Sequence, residues 1–336
     1  MTTTTLAPKN KRSRQEILRI IGLVILQIVM TIILITFLVP TLWMISSSLK
    51  VSTEVFVQPI KWIPDIPQWG NYNLDAHPAF ASVPFSQFAW NTLMIVVFAV
   101  GGTVVSSVLT AYAFSRLNWP GKNFFFALMI ATIMLPEIIT LIPRFILFRT
   151  FDQVTREANL DEQLGLPKIV KWNDFMPIKL DRDITIFKLS LRWIDSALPL
   201  TAPSWFAVTA LYVFLIQQFF RGIPKELEEA ALIDGANRLQ ILTQILLPLS
   251  KPVIATVTVF SLIQHYNEFL TPLIYLNKMD NWVMALGIRA LNNSQTANWE
   301  IVFAASTLML IPVLIVFVIA QRYFVQGIAM TGFGGR

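Results

Sequence analysis

Residues Ile17 to Met44 read ILRIIGLVILQIVMTIILITFLVPTLWM, an almost uninterrupted apolar run in which Arg19 is the only ionised side chain. A helix rises about 1.5 Å per residue, so roughly 20 apolar residues cross the hydrocarbon core of a bilayer. The run is too long for the apolar segment of a secretory signal, and no small-residue cleavage site follows it. It therefore predicts a transmembrane helix that stays in the mature protein.

Five further apolar stretches qualify, or nearly qualify, as membrane spans. Apolar residues make up 55% of the 336 residues and charged residues only 14%, and the mean hydropathy is +0.60, which is beyond the ordinary range of soluble proteins. We therefore expect an all-α membrane protein with six transmembrane helices. The five further spans are Trp90 to Phe114, Phe124 to Phe148, Leu200 to Phe220, Pro252 to Leu276 and Ile301 to Tyr323.

The basic residues are distributed unevenly between the two sides of this topology. With a cytoplasmic N-terminus, the short inner segments carry thirteen Lys and Arg residues and the short outer loops carry four. Basic residues in short loops are retained on the cytoplasmic side, so this orientation is the predicted one. The net charge of +6 is then explained by residues at the lipid headgroups, and nucleic-acid binding is not indicated.

The longest polar stretch, 149–198, carries eight basic and eight acidic side chains. The later half of Ile184 to Asp195 alternates apolar and polar residues, as a half-buried strand does. We expect a small extracytoplasmic subdomain with some β structure, which either contacts a receptor or is a solvated addition. The chain is thus divided into a disordered cytoplasmic tail at 1–16, spans one to three at 17–148, the insertion at 149–198, spans four to six at 199–327 with a cytoplasmic loop at 221–248, and a cytoplasmic tail at 328–336.

The third predicted span carries two ionisable residues, Glu137 and Arg144, and we expect Pro136 and Pro143 to break its helix. Ionisable groups at membrane depth are costly and point to function. Seven positions separate Glu137 from Arg144 by about 10 Å along a helix, too far for a direct pair. Each therefore needs its own partner, and a structural partner is favoured over solute because Arg144 is close enough to the outer end to snorkel.

The fifth predicted span ends in a second polar group, Asn267 and Glu268. Counting from Pro252 at about 1.5 Å per residue places Glu268 near the outer boundary of the membrane. A helix-packing or gate role is favoured there over solute coordination. His265 is one of only two histidines and the chain has no cysteine, so we expect no metal site and interpret His265 as a hydrogen-bonded interior residue.

The cytoplasmic loop at 221–248 contains a short predicted helix. Pro224 suits a first helical residue, acids follow in the first turn, and Gly235 suits a left-handed C-terminal turn. The expected helix is about ten residues long. Leu227, Ala230 and Ala231 share one face, while Glu226, Glu228 and Glu229 point elsewhere. From helix physics alone, this element is either a docking element or an amphipathic helix that lies on the inner leaflet.

The same loop spells E-A-A-x-x-x-G-x9-I-x-L-P from Glu229 to Pro248. This pattern resembles the cytoplasmic coupling loop of membrane permease subunits of bacterial ABC importers. In that family the helix lies in a cleft of an ATPase subunit and transmits its closure to the transmembrane helices. The resemblance assigns to the ATPase-coupling loop residues Glu229, Ala230, Ala231, Asp234, Gly235, Ala236, Ile245, Leu247 and Pro248.

Three other stretches look like the carbohydrate group of these permeases, the maltose and oligosaccharide type. They are Ala111 to Arg116, Tyr266 to Leu273, in which Tyr266 replaces the usual Trp, and Gln321 to Gly327. The insertion at 149–198 departs from the pattern. The resemblance implies that the loop from Asn277 to Glu300 faces the solute receptor, with Asn293, Gln295 and Trp299 as its candidate contacts. The candidate pore or gate residues, chosen for their polar groups at membrane depth, are Glu137, Arg144, Asn267 and Glu268.

The resemblance also implies the type I ABC importer permease fold, in the inner membrane of a bacterium. The implied partners are a second homologous permease, two ATPase subunits, an extracytoplasmic solute-binding protein, membrane lipid and a sugar. This chain would bind no cofactor, and ATP and Mg would act in the ATPase subunits.

Several alternatives stay open at this point. The solute is either a sugar or a compound of the glycerol-phosphate type, and an ion-coupled secondary transporter and a non-transporting scaffold are the other classes of function. The stretch Gly121-Lys122-Asn123 lacks the first glycine and the hydroxyl residue of a phosphate-binding loop. No H-E-x-x-H or G-x-S-x-G pattern occurs, so the sequence predicts a non-catalytic subunit.

Overall fold

The computed structural model describes residues 14–73, 77, 80, 83–157, 170–171, 185–187, 193–207, 209–292 and 298–332. The predicted receptor contacts Asn293 and Gln295, the side chain of Glu137, and most of the insertion lie outside the described part.

Helices dominate the described residues. They are α1 (Arg14–Ser48), α2 (Phe85–Arg116), α3 (Lys122–Thr132), α4 (Glu137–Glu157), α5 (Leu198–Thr201), α6 (Ala210–Gly222), α7 (Glu226–Ile233), α8 (Arg238–Leu249), α9 (Lys251–Tyr266), α10 (Leu270–Tyr275), α11 (Met284–Asn292) and α12 (Trp299–Gly332), with short 3₁₀ turns at Ser52–Glu54, Trp69–Tyr72, Ala202–Phe206 and Met279–Asn281. Two short strands, β1 (Val170–Lys171) and β2 (Thr185–Phe187), pair antiparallel within the 149–198 stretch, where β structure was expected.

Four helical segments of the described chain are long and apolar enough to cross a membrane. A fifth is added if α8 and α9, which meet at a bend of 81°, are counted as one span, so the predicted count of six is not confirmed. The four segments are Leu18–Ser48, Phe85–Arg116, Leu198–Gly222 and Trp299–Gln321.

The third predicted span, Phe124 to Phe148, differs from the structure. It is divided into α3 and α4 at Pro136, as expected, but Pro143 lies inside α4 without ending it. Proline removes one backbone hydrogen bond, and a long helix with tertiary support tolerates that loss. The helix then continues to Glu157, nine residues into the predicted insertion.

Both predicted tails overlap with helices: the N-terminal tail ends earlier than expected, and the C-terminal tail begins later. Residues 14–16 already belong to α1, and α12 continues to Gly332 beyond the predicted boundary at 327. In each case the helix that carries the apolar run extends past it by three residues or more, because propagation of an existing helix costs little.

The helix bundle is centred on α2, which packs against α5, α6, α9 and α11. Its small residues allow close approach, as the sequence indicates. A Cβ atom at Gly102 would lie only 2.6 Å from the Trp205 ring, and Ser106 Oγ donates to the Ser204 carbonyl at 2.8 Å. The helix α1 packs against α12 and exposes the rest of its apolar surface. Such a surface suits contact with lipid.

The predicted loop from Asn277 to Glu300 is largely helical, which corrects the sequence interpretation. The helix α11 occupies its centre and buries Met284, Leu286 and Leu291 against the bundle. Gly287 does not present a polar surface, since a Cβ there would lie 2.4 Å from the Phe88 ring. The glycine therefore serves close helix packing.

Candidate functional site

The coupling-loop prediction places a short helix at the inner end of the bundle, and the structure has α7 there. The carbonyl of Lys225 accepts hydrogen bonds from Glu228 N at 2.9 Å and Glu229 N at 3.0 Å, so the helix begins at Glu226. Pro224 therefore precedes the N-cap and is not the first helical residue, and α7 has 8 residues instead of about ten. The acids of its first turn are favoured by the positive end of the helix dipole.

The turn after α7 depends on Gly235. Its φ of +85° lies in the left-handed region, as predicted, and Ala236 N donates to the Ala231 carbonyl at 2.9 Å. Asn237 and Gln240 then form a capping box at the start of α8, with mutual bonds of 2.9 Å and 2.7 Å. Both sides of the turn are thus fixed by hydrogen bonds. We call the segment 224–250 the elbow.

The second arm of the elbow, α8, packs one side into the bundle. Ile241, Leu242 and Leu246 are inaccessible or nearly so, and they pack with residues of α2, α6 and α9. The stretch Ile241–Leu246 is π-helical, a form that is frequent at functional sites. Tyr112 Oη of α2 also donates to the Arg238 carbonyl at 3.3 Å. The elbow is therefore anchored through α8 to three helices of the bundle.

A buried ion pair joins the first arm of the elbow, α7, to α2. Arg116 Nε lies 2.8 Å from Glu228 Oε1, and their side chains are only 3% and 8% exposed. Arg116 Nη2 also donates to the carbonyls of Phe220 at 2.5 Å and Ile223 at 2.6 Å, at the end of α6. One guanidinium thus holds together the ends of α2 and α6 and the helix α7. We call Arg116, Glu228, Phe220 and Ile223 the clasp.

The opposite side of α7 is an exposed apolar surface. Leu227 is 45% exposed and Ile233 is 87% exposed, and Leu239 at the start of α8 is 65% exposed. Ala230 lies on this exposed side. An apolar surface at the tip of a polar elbow suits contact with another protein.

The structure brings most of the predicted coupling residues together in the elbow. Their side chains divide into two groups: Glu229, Ala230, Asp234, Gly235 and Pro248 are exposed, whereas Ala231, Ala236, Ile245 and Leu247 are half-buried against the bundle.

The clasp residues are not among those predicted from the sequence. The helical pattern correctly separates Glu228 from the face of Leu227 and Ala230, but it does not show that the Glu228 side faces the bundle. Glu226 and Glu229 are exposed, whereas Glu228 is buried. Arg116 lies in a stretch that resembles the permeases, but nothing in the local sequence pairs it with Glu228.

A second polar cluster lies beyond the far end of α9. His265 Nδ1 is 3.8 Å from Glu268 Oε2, and His265 Nε2 is 3.5 Å from Thr103 Oγ1, so His265 is an interior polar residue as expected. Arg144 lies within electrostatic range of both the Tyr275 hydroxyl and Glu268. The charge of Arg144 is thus turned toward the protein.

The other predicted pore and receptor residues are placed separately. Asn267 is exposed and its amide donates to the Ile263 carbonyl at 3.0 Å, which satisfies the end of α9. Trp299 starts α12 and packs edge-on against Phe56, with the ring centres 5.6 Å apart. Neither residue joins the cluster around Glu268.

Relatives of this chain are transport permeases. It is 28% identical to the sulfoquinovosyl glycerol transport system permease protein SmoH of Agrobacterium fabrum, over 91% of this chain and 92% of that protein. It is 26% identical to the diacetylchitobiose uptake system permease protein NgcG of Streptomyces coelicolor, over 85% and 80%. It is 30% identical to the sn-glycerol-3-phosphate transport system permease protein UgpE of Yersinia enterocolitica, over 82% and 85%.

Two solved structures share the fold. One is a bacterial ABC transporter involved in the import of the acidic polysaccharide alginate, with a TM-score of 0.69 and 22% identity over 94% of this chain and 100% of that chain. The other is a bacterial alginate ABC transporter in complex with an alginate pentasaccharide-bound periplasmic protein, with a TM-score of 0.55 and 18% identity over 93% and 96%.

Residues 102–330, more than half of the chain, match the family described as binding-protein-dependent transport system inner membrane component. The matched range includes the clasp and the whole elbow. The chain therefore belongs to this family, the membrane permease components of ABC importers.

Proposed function

We propose that this chain is one permease subunit of an ATP-driven importer for a sugar or oligosaccharide. Two of the relatives named above transport sugar compounds, which supports this class of solute. A glycerol-phosphate compound is the second candidate solute, because the chain is 30% identical to UgpE, a permease of an sn-glycerol-3-phosphate transport system.

The observation that carries the mechanism is the clasp. An ATPase subunit binds the exposed apolar side of α7, with Leu227, Ala230 and Ile233 in contact. Because Glu228 on the buried side of α7 is paired with Arg116 at 2.8 Å, a displacement of α7 is carried directly to α2. A hydrophobic contact alone would allow α7 to slide over α2. Separation of the buried pair is resisted more strongly, because a buried charge without its partner costs about 3–5 kcal/mol.

A second path runs through α8. The hydrogen bonds around Gly235 and the capping box at Asn237 fix the angle between α7 and α8. Ile241 and Leu246 then transmit the motion to α6 and α9 by close packing. The two arms together turn closure of the ATPase into movement of the membrane helices.

The other functions of the transporter belong to its partner subunits. A second homologous permease completes the passage, two ATPase subunits hold ATP and Mg, and a solute-binding protein delivers the solute from outside. This chain itself binds no cofactor and carries out no catalysis. The N-terminus and the elbow are cytoplasmic, in the inner membrane of a bacterium, which agrees with the distribution of basic residues.

The polar cluster around Glu268 is assigned to the gate. Arg144 and Glu268 are the charged members, and Glu137 and Asn267 complete the set of candidates. The loop that contains Asn293 and Gln295, with Trp299 at its end, faces the solute-binding protein.

Cysteine crosslinking tests the docking assignment directly, because the natural chain has no cysteine. Ala230→Cys is expected to crosslink to the ATPase subunit in assembled complexes that still take up solute. Ile66→Cys, at a position that is 72% exposed in the loop before α2, is the matched control and is expected to give no such product. Failure of Ala230→Cys to reach the ATPase in working complexes would refute the docking role.

Two measurements test the rest of the proposal. Uptake that requires ATP and the ATPase subunit separates an ABC importer from an ion-coupled transporter and from a scaffold. Thermal stabilisation of the purified solute-binding protein by a panel of sugars and glycerol phosphates identifies the solute. Stabilisation by glycerol phosphate alone would replace sugar with the second candidate.

A further inference from the structure

A basic cavity of about 450 Å³ opens where the turn between α2 and α3 meets the end of α6. Lys122 and Arg221 supply its charge, Asn118 and Asn123 supply amide groups, and Trp119 and Phe124 supply aromatic surface. No acidic side chain is among the described residues that line it. The coupling mechanism proposed above uses neither of the two cations.

Both cations keep free hydrogen-bond donors after their contacts within the protein. Lys122 Nζ donates once, to the Leu117 carbonyl at 2.8 Å, although an ammonium group has three donors. Arg221 lies over the Phe126 ring at 5.6 Å, and in the amide orientation that satisfies both residues it donates to Gln217 Oε1 from Nε and Nη2. A guanidinium has five donors, so its other donors are available to a ligand.

The electrostatics of the cavity favour an anion. Burial, together with the nearby charges of Arg221 and Lys225, holds the pKa of Lys122 below its ordinary value. Three like charges in one place repel each other, and an anion between them would relieve that repulsion.

The surroundings of the cavity indicate the source of the anion. Phe124 is 68% exposed and the next residue, Phe125, is 50% exposed, and both are at the start of the apolar helix α3. Trp119 is a residue type that favours the boundary between headgroups and acyl chains. A soluble phosphate would leave these rings in water, whereas a lipid covers them with its acyl chains while its phosphate meets the cations.

We propose that this cavity is a binding site for the headgroup of an anionic phospholipid of the phosphatidylglycerol class. The phosphodiester accepts hydrogen bonds from Lys122 and Arg221, and the headgroup hydroxyls meet the amides of Asn118 and Asn123. The bound lipid would hold the α2–α3 turn against α6, next to the clasp. This inference needs only the membrane location of the chain and does not rest on the coupling mechanism.

Native mass spectrometry of the full chain in neutral detergent tests the site. Dioleoyl phosphatidylglycerol is expected to bind more tightly than dioleoyl phosphatidylcholine, and each cation removed by Lys122→Gln or Arg221→Gln is expected to weaken it about fivefold. Lys122→Arg keeps the charge and is expected to keep the binding. Lys251→Gln removes an exposed cation elsewhere at the inner end and is the matched control.

Each outcome decides the assignment. Equal binding of the two lipids by the natural chain, or equal loss in Lys251→Gln and Lys122→Gln, would overturn it. Displacement of phosphatidylglycerol by millimolar inorganic phosphate or sn-glycerol-3-phosphate would assign the cavity to a soluble phosphate instead. A thermal melt of each variant in detergent separates loss of the site from loss of the fold. A variant that melts as the lipid-free natural chain does and still loses phosphatidylglycerol has lost the site alone.

Discussion

The clasp beside the elbow and the polar cluster beyond the far end of α9 are two interior groups of charges built in different ways. In the clasp, Arg116 and Glu228 are 2.8 Å apart and nearly inaccessible, and the same guanidinium also bonds two carbonyls. In the other cluster, His265 and Glu268 are 3.8 Å apart and are 14% and 24% exposed.

The difference indicates which group moves with the protein and which rearranges. A close ion pair in a dry environment has one favourable arrangement, because any separation leaves a buried charge unpaired. A looser group with access to water can exchange partners at small cost. The clasp therefore suits rigid transmission, and the cluster around Glu268 suits a gate.

Removal of one partner of the clasp is expected to have the largest effect on stability. Arg116→Ala and Glu228→Ala are each expected to lower the free energy of unfolding by about 3–5 kcal/mol, because the other charge is left buried and unpaired. The double variant is expected to cost less than the sum of the two. Denaturant unfolding of the purified chain in detergent measures all three, and single variants that each cost under about 1 kcal/mol would contradict the comparison.

Gly235→Val is expected to have the next largest effect, and to show it in transport. A β-branched residue at a φ of +85° costs about 1–3 kcal/mol in backbone strain, which misaligns α7 and α8. Uptake is expected to be abolished while the protein remains in the membrane. Gly222→Ala is the matched control, since nothing lies within 4 Å of a Cβ there and its backbone conformation suits an L residue. Uptake by Gly235→Val at the level of the control would contradict the role of the turn.

Glu268→Gln tests the looser cluster and is expected to have a smaller effect on stability. Loss of one charge at a site that is 24% exposed is expected to change the free energy of unfolding by about 1 kcal/mol. Solute uptake is expected to change more than stability does, because a gate acts through rearrangement. If Glu268→Gln destabilised the chain as much as Glu228→Gln, the two clusters would not differ and the comparison would fail.

Among these variants, Lys61→Ala is expected to have the smallest effect on stability and uptake. The pair of Lys61 and Asp65 is 2.6 Å apart but exposed, and the hydrogen bond from Lys61 holds the pKa of the Asp65 carboxyl below its ordinary value of 3.8. Any contribution of Asp65 is present at neutral pH and is lost as the pH falls below that ordinary value. At neutral pH, the melting temperature and the uptake of Lys61→Ala are expected to equal those of the natural chain, and a measurable loss would show that exposed pairs matter here.

The sequence predicts the apolar helices of this fold well where a single run is continuous. The run from Ile17 to Met44 lies inside α1, and the runs starting at Trp90 and Ile301 lie inside α2 and α12. The prediction fails where two signals conflict. Pro143 resembles a helix breaker but is carried by α4, and Gly287 resembles a loop residue but serves packing inside α11. At Gly287 the close approach of the Phe88 ring, which has no local signature, overrides the local preference, and at Pro143 the helix continues despite the loss of one backbone hydrogen bond.

The elbow shows the same division at the level of the site. Its turn at Gly235 is predictable because a left-handed residue after a short helix is a local matter. The pair of Arg116 and Glu228 joins residues from separate helices, and one chain contains no signal for which distant residues meet. The sequence therefore predicts the short helix and the turn of the elbow and misses the buried pair that joins α7 to α2.

The variant Glu228→Gln separates binding of the ATPase subunit from transmission of its motion through the clasp. The exposed side of α7 is unchanged in this variant, so the ATPase subunit is expected to copurify with it as it does with the natural chain. Without the charge, Arg116 no longer holds α7 rigidly, and stimulation of ATP hydrolysis by the loaded solute-binding protein is expected to be lost in proteoliposomes. Full stimulation and full uptake with the pair broken would show that the clasp does not transmit the motion.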